Sequence, residues 1–184
     1  IALKIREEFQ KFVCNNPSLT LSACLLVVDE HYPVSRFAVL AEERLREAKN
    51  GRTGKNSINV FGETLSWQEF RDAAKIKEKL VGMVGNGNGD GEPKAIIQKV
   101  LQGCRGLETL SGRTSKKQQP FTVKVWQMAY FFRDLEREHS RAVAEEIIAE
   151  YEKVVFAAMR GETVNPMYIA VGARWAEFMC RKSL

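Results

Sequence analysis

Histidine is scarce: only His31 and His139 occur in 184 residues, and they stand far apart. That spacing supports neither a histidine-rich metal centre nor a serine–histidine triad, so neither residue is assigned a catalytic role. Cysteine is equally scattered, at Cys14, Cys24, Cys104 and Cys180. Without a C-x-x-C pair there is no zinc or dithiol redox spacing and no dense disulfide framework, and reduced, buried thiols in a cytoplasmic protein are the expectation. Long apolar runs are missing too. The run Leu25-Leu26-Val27-Val28 is cut by Asp29 and Glu30, far short of the roughly 18 residues a membrane span needs. A membrane is therefore not among the expected partners. The chain also lacks an initial Met, and Ile1 to Lys11 reads as an amphipathic helix rather than a signal peptide, so a piece of a longer polypeptide is expected.

What is present describes a globular chain. A hydrophobic share of 45% excludes disorder, and the length allows one ordinary domain or two small ones. Lys and Arg number 28 against 23 Asp and Glu, a net charge of +5 that would suit a nucleic-acid partner without demanding one.

Two kinds of pattern divide the sequence. In residues 1–62, Ile1, Ile5, Phe9, Phe12 and Val13 recur at helical spacing up to Asn15-Asn16-Pro17, where proline disfavours helix in the preceding residue. Leu19 to Val28 reads as a buried strand. Pro33 opens a second helix with the apolar face Val34, Phe37, Ala38, Ala41, Leu45 and Ala48, ending at Lys49 before Gly51 and Gly54. Ser57 to Phe61 reads as a last short strand. Helix, strand, helix, strand belongs to a sheet layer, yet two strands make no stable sheet, and further strands are expected upstream of Ile1.

Residues 63–184 read as helical throughout. Ser66-Trp67-Gln68-Glu69 has the S-x-x-E form of a capping box, opening a helix from Trp67 to about Val84. Further helices are predicted from Pro93 through Cys104, near Phe121 to Glu138, from Ser140 to Met159, and from Pro166 to Arg181 with Asn165 as N-cap. The fold class expected is α+β, a sheet-bearing first part followed by an all-α helical bundle.

Few motifs carry chemistry. A calcium loop starting at Asn86 would place Ile97 where a bidentate glutamate is required, and a dinucleotide-binding turn needs a strand before Gly85, where a helix is predicted. Residues 85–91 thus read as a flexible connector. Trp126, Tyr130, Phe131, Phe132, Trp175 and Phe178 recur at helical spacing among apolar residues and read as core rather than as a base-stacking platform. The loop bearing Arg105, Arg113, Lys116 and Lys117, opposed only by Glu108, is a candidate nucleic-acid contact, with solvated loop charge as the competing reading. Lys49 and Lys55 flank one turn between a helix and a strand. They can neutralise phosphate oxygens there, or stand as solvated cations at a helix end whose dipole favours them.

Leu21-Ser22-Ala23-Cys24, Tyr32-Pro33-Val34-Ser35, Ala41-Glu42-Glu43, Ala48-Lys49, Lys55-Asn56-Ser57-Ile58, and Phe61-Gly62 with Ser66-Trp67 resemble the second palm domain of the large subunit of type III CRISPR effector complexes. Ala173-Arg174-Trp175-Ala176-Glu177-Phe178 with Arg181 resembles that subunit's closing helix. The resemblance implies the C-terminal part of a ferredoxin-like palm of the GGDEF or cyclase type at 1–62 and a helical bundle at 63–184. It implies a parent enzyme that makes cyclic oligoadenylate from ATP with divalent metal (Mg or Mn) on target-RNA binding, in some members with a nuclease domain. Lys49 and Lys55 would then be the ATP phosphate contacts. Other complex subunits, guide RNA, target RNA and single-stranded DNA are the implied partners. The GGDD hairpin that would hold the metals is absent from this sequence, so no catalytic or metal-binding residue is assigned within it and the chain alone is expected to be inactive. Cys24 stands where the family usually has glycine. Two other readings stay open: a diguanylate-cyclase-like signalling enzyme with an added helical domain, and a pure RNA or protein interaction module.

Overall fold

The first helix, α1 (Ala2–Phe12), stops as its apolar spacing does: Val13 caps it, and Cys14 and Asn15 take left-handed backbone angles (φ 52° and 56°) ahead of Pro17. The computed structural model describes residues 1–51, 54–85, 92–104, 138–160, 162 and 164–181. The chain divides into two units, Ile1–Arg71 and Asp72–Leu184, and the division falls inside one helix. No helix among the described residues is long and apolar enough to cross a membrane.

In the first unit, β1 (Ala23–Leu25) is followed by α2 (Val34–Lys49), β2 (Ser57–Val60) and β3 (Glu63–Ser66). The strands lie in the order β1-β2-β3. Strands β1 and β2 are parallel, with Ala23 opposite Ile58 and Leu25 opposite Val60, so a crossover is required between them and α2 supplies it. Pro33 precedes α2 as predicted, because its fixed φ suits a helix entrance.

Strand β3 corrects the expectation of a purely helical chain after Gly62. Ser57 pairs with Ser66 and Val60 with Glu63 in an antiparallel hairpin closed by Phe61 and Gly62 alone. Both turn residues have positive φ, 52° and 84°, the arrangement whose twist matches flanking strands. Phenylalanine is an unusual residue for that position, which hid the turn in the sequence. The predicted strand over Leu19–Val28 also contracts, to three residues, and it is not buried: Leu25, Val27 and Val28 are exposed. The apolar faces predicted for α1 and α2 are open as well, with Phe12 at 85% and Val34 at 82% exposure, while Ala48 at the end of α2 is fully covered.

Burial in this unit gathers around β2, β3 and the start of α3 (Trp67–Gly85). Ile58, Val60, Leu65 and Phe70 are buried, and Trp67 meets Phe70 edge-on at 6.3 Å. The predicted capping box is formed: the Ser66 amide donates to Glu69 Oε2 at 2.7 Å and the Glu69 amide to Ser66 Oγ at 3.2 Å. Trp67 Nε1 donates to the Leu21 carbonyl at 2.8 Å, tying the approach to β1 down against α3. Arg6 of α1 lies over the Trp67 ring at 5.7 Å, and its burial lowers the guanidinium pKa.

The second unit holds the rest of α3 with α4 (Glu92–Gly103), α5 (Glu138–Met159) and α6 (Tyr168–Met179). Its core is drawn at helical spacing from each: Ala73, Ile76 and Leu80; Ile96, Ile97 and Val100; Ile147, Tyr151, Val154 and Val155; Ile169, Val171, Ala173 and Ala176. Gly172 lets α6 approach α3, since a Cβ there would stand 2.7 Å from the Ala73 carbonyl oxygen. Along α6, Tyr168, Ile169, Val171, Gly172 and Ala176 are covered, while Met179 is exposed. The helix predicted from Pro166 with Asn165 as N-cap begins instead at Tyr168, and the Asn165 Oδ1 accepts from the Met167 amide at 3.0 Å ahead of it. Predicted elements and residues outside the described ones are the helix over 121–137, the connector from Asn86 to Gly91, and Trp126, Tyr130, Phe131 and Phe132.

Candidate functional site

The turn from α2 to β2 carries both lysines singled out by spacing. Lys49 is the last residue of α2, Lys55 stands two residues before β2, and both are exposed. Among the described residues neither ammonium forms an ion pair, whereas Arg44 and Arg46 on the same helix are taken by Glu47 and Glu42. One cation at the C-terminal end of α2 and one just before β2 are available to meet an anion.

The described residues at both ends of the turn between them are held by hydrogen bonds. The buried Ser57 hydroxyl bonds the Ala48 carbonyl and reaches the Gly54 carbonyl at 3.3 Å. Within the turn the Gly54 amide donates to the Gly51 carbonyl at 2.9 Å, and Gly54 takes a φ of +67°. Ser22, on the approach to β1, donates to the Lys55 carbonyl at 2.7 Å. Gly51 lies so near β3 that a Cβ would stand 2.8 Å from the Thr64 methyl.

Behind the turn lies a part-buried polar network that sequence reasoning missed. Asn59 Nδ2 donates to Glu47 Oε2 and to Thr64 Oγ1, each at 3.0 Å, while Arg44 Nη1 donates to both Glu47 oxygens at 2.9 Å. The hydrogen bond to Glu47 raises the Arg44 pKa, with the charges of Glu47, Glu43 and Glu63 adding to it. Ser57 and Asn59 are fully buried on one face of β2, and Ile58 and Val60 occupy the other. The signal was present in the sequence, as polar residues at alternate positions of a predicted strand, but it names no partner until the fold brings α2 and β3 alongside.

Arg105, Arg113, Lys116 and Lys117 lie outside the described residues. Cys24, half-buried in β1, points its thiol at the Ala41 carbonyl of α2 at 3.5 Å, and burial raises its pKa. No group of three or more His, Cys, Asp or Glu side chains is placed to hold a metal ion among the described residues, so they do not fit a divalent centre.

Comparison with known proteins bears on this same segment. Residues 1–59, which include α2 and most of β2, match the family Cas10/Cmr2, second palm domain. The CRISPR system single-strand-specific deoxyribonuclease Cas10/Csm1 (subtype III-A) of Methanocaldococcus jannaschii is 34% identical over 98 residues, which cover 45% of this chain and 12% of that protein. The chain thus spans a small part of the length of that relative. No solved structure matches. The similarity to the large subunit of type III CRISPR effector complexes read from the sequence is borne out by both findings.

Proposed function

We propose that this chain serves in a type III CRISPR large subunit that makes cyclic oligoadenylate from ATP when its complex binds target RNA, with Lys49 and Lys55 contacting the triphosphate. The observation that carries this reading is the α2–β2 turn: two exposed lysines without ion-pair partners among the described residues, on a backbone held by Ser57 and Ser22, inside the segment that matches the palm. Two ammonium groups flanking one turn can neutralise charge that builds on the leaving phosphates.

In this reading ATP and a divalent metal act in the intact subunit, and the metal ligands come from outside the described residues. The residues of the turn bind and orient phosphate. The helical unit would assemble with other complex subunits, and Arg105, Arg113, Lys116 and Lys117 would meet guide RNA, target RNA or single-stranded DNA through phosphate contacts. Such a complex would work in the cytoplasm. Both comparisons favour this over a diguanylate cyclase.

The test is made in the intact large subunit within its complex. Lys49→Ala and Lys55→Ala should each depress cyclic oligoadenylate formation at saturating ATP by about tenfold or more while leaving target-RNA affinity unchanged. Synthesis at the parental rate in the double variant would return both lysines to ordinary solvated charge.

A further inference from the structure

We infer that Ser57 is a positioning residue that sets the spacing of Lys49 and Lys55 for a nucleoside triphosphate. The inference rests on the phosphate role proposed above for those lysines and extends it to a residue that touches no ligand. The two carbonyls reached by the Ser57 hydroxyl belong to Ala48 and Gly54, the residues immediately before Lys49 and Lys55. One proton is thereby shared between the peptide units that launch the two cations. The last carbonyls of a helix have no partner within it, so the Ala48 oxygen would otherwise be left to a buried neighbour or to water.

The choice of serine is informative because the position does not ask for it. Ser57 is fully buried at the head of a strand whose other face is Ile58 and Val60, and an apolar residue there would add burial. A buried hydroxyl is tolerated only with a partner, and here the partners are the two ends of the turn. Its neighbours hold the same loop: Ser22 binds the Lys55 carbonyl, and Thr64 crowds Gly51. Gly54 provides an independent way to disturb the turn. Its φ of +67° disfavours any side chain, yet a Cβ there would meet nothing within 4 Å.

The experiment measures ATP binding to the full-length large subunit by calorimetry at several salt concentrations. Ser57→Ala should weaken ATP about tenfold, the worth of one charge-assisted contact, and should flatten the dependence of affinity on salt although no charge was removed. In a Lys49→Ala/Lys55→Ala background the same substitution should cause no further loss, since the contacts it positions are already gone. Parental affinity and salt dependence in Ser57→Ala would overturn the inference. So would an equal loss in both backgrounds, which marks general destabilisation. If the lysine double variant itself binds ATP as the parent does, the phosphate reading has failed and the inference falls with it, a result distinct from failure of Ser57 alone. Should Ser57→Ala not fold, Gly54→Ala decides: a flattened salt dependence supports the role of turn geometry, and an unchanged one rejects it.

Discussion

The two units bury their apolar side chains to very different degrees. Of the large hydrophobic side chains exposed among the described residues, all but Phe156 and Met179 belong to Ile1–Arg71, including Ile5, Phe12, Leu25, Val27, Val34 and Phe37. The second unit covers Leu80, Ile97, Val100, Ile147 and Val155 almost completely. Helices carry their own backbone hydrogen bonds and need only a few neighbours to cover one stripe each. A sheet is covered only where strands and helices from distant parts of a chain, or another protein, lie against it. In the first unit that cover is complete around β2 and absent from the outer surfaces of α1, β1 and α2.

The largest effect that would sharpen this contrast comes from truncating one side chain in each unit. Leu80→Ala, at a fully buried site, should cost about 2–5 kcal/mol and lower the melting temperature markedly. Val34→Ala, at an 82% exposed site, should stay within about 0.5 kcal/mol. Chemical denaturation of both variants checks the pair, and equal losses would show that the face of α2 is covered after all.

A smaller difference separates two glycines. Gly172→Ala would press a Cβ against the Ala73 backbone and should cost about 1–3 kcal/mol through overpacking. Gly62→Ala meets no neighbour within 4 Å, and its cost of about 1–2 kcal/mol comes only from the left-handed backbone at φ +84°. Gly62→Asn separates the two causes: asparagine tolerates that backbone and should recover much of the loss, whereas Gly172→Asn should be worse than Gly172→Ala.

The smallest effect appears at alkaline pH and is read from the second unit. Burial pushes the Cys104 thiol from 9.0 up to about 12, and burial followed by the neighbouring Cys104 charge pushes the Tyr151 hydroxyl from 10.0 up to about 12. Both groups ionise more readily unfolded than folded. Their stabilisation is therefore complete below pH 9 and is lost as pH rises toward 12, with roughly 1 kcal/mol gone by pH 10 from Cys104. Urea melts at pH 8 and pH 10 should show the loss, and Cys104→Ala should reduce it. An undiminished loss in that variant would assign it to other groups.

Much of the local structure is legible in the sequence. The end of α2 at Lys49, the capping box at Ser66 and Glu69, and the proline before α2 are written in residues within a few positions of one another. Reading failed where the partner is remote or the local rule is broken. Phe61 concealed a two-residue hairpin turn because its side chain is a poor fit to positive φ, and with the turn β3 was lost. The apolar run predicts too long a strand over Leu19–Val28 because hydrophobicity alone does not mean burial, whereas pairing with β2 reaches only Ala23, Cys24 and Leu25.

The candidate site divides in the same way. The position of Lys49 and Lys55 at a turn is legible from the sequence, since a helix end, two glycines and a strand start define a turn by local geometry alone. What holds that turn was decided by tertiary structure. Ser57 finds the Ala48 carbonyl, and Asn59 finds Glu47 and Thr64, only after β2 has been placed beside α2 and paired with β3. Backbone propensity and capping act over a few residues and leave their mark in the order of amino acids. A buried hydroxyl or amide acquires its partner through chain folding over longer separations, and the sequence records only that a polar group stands there.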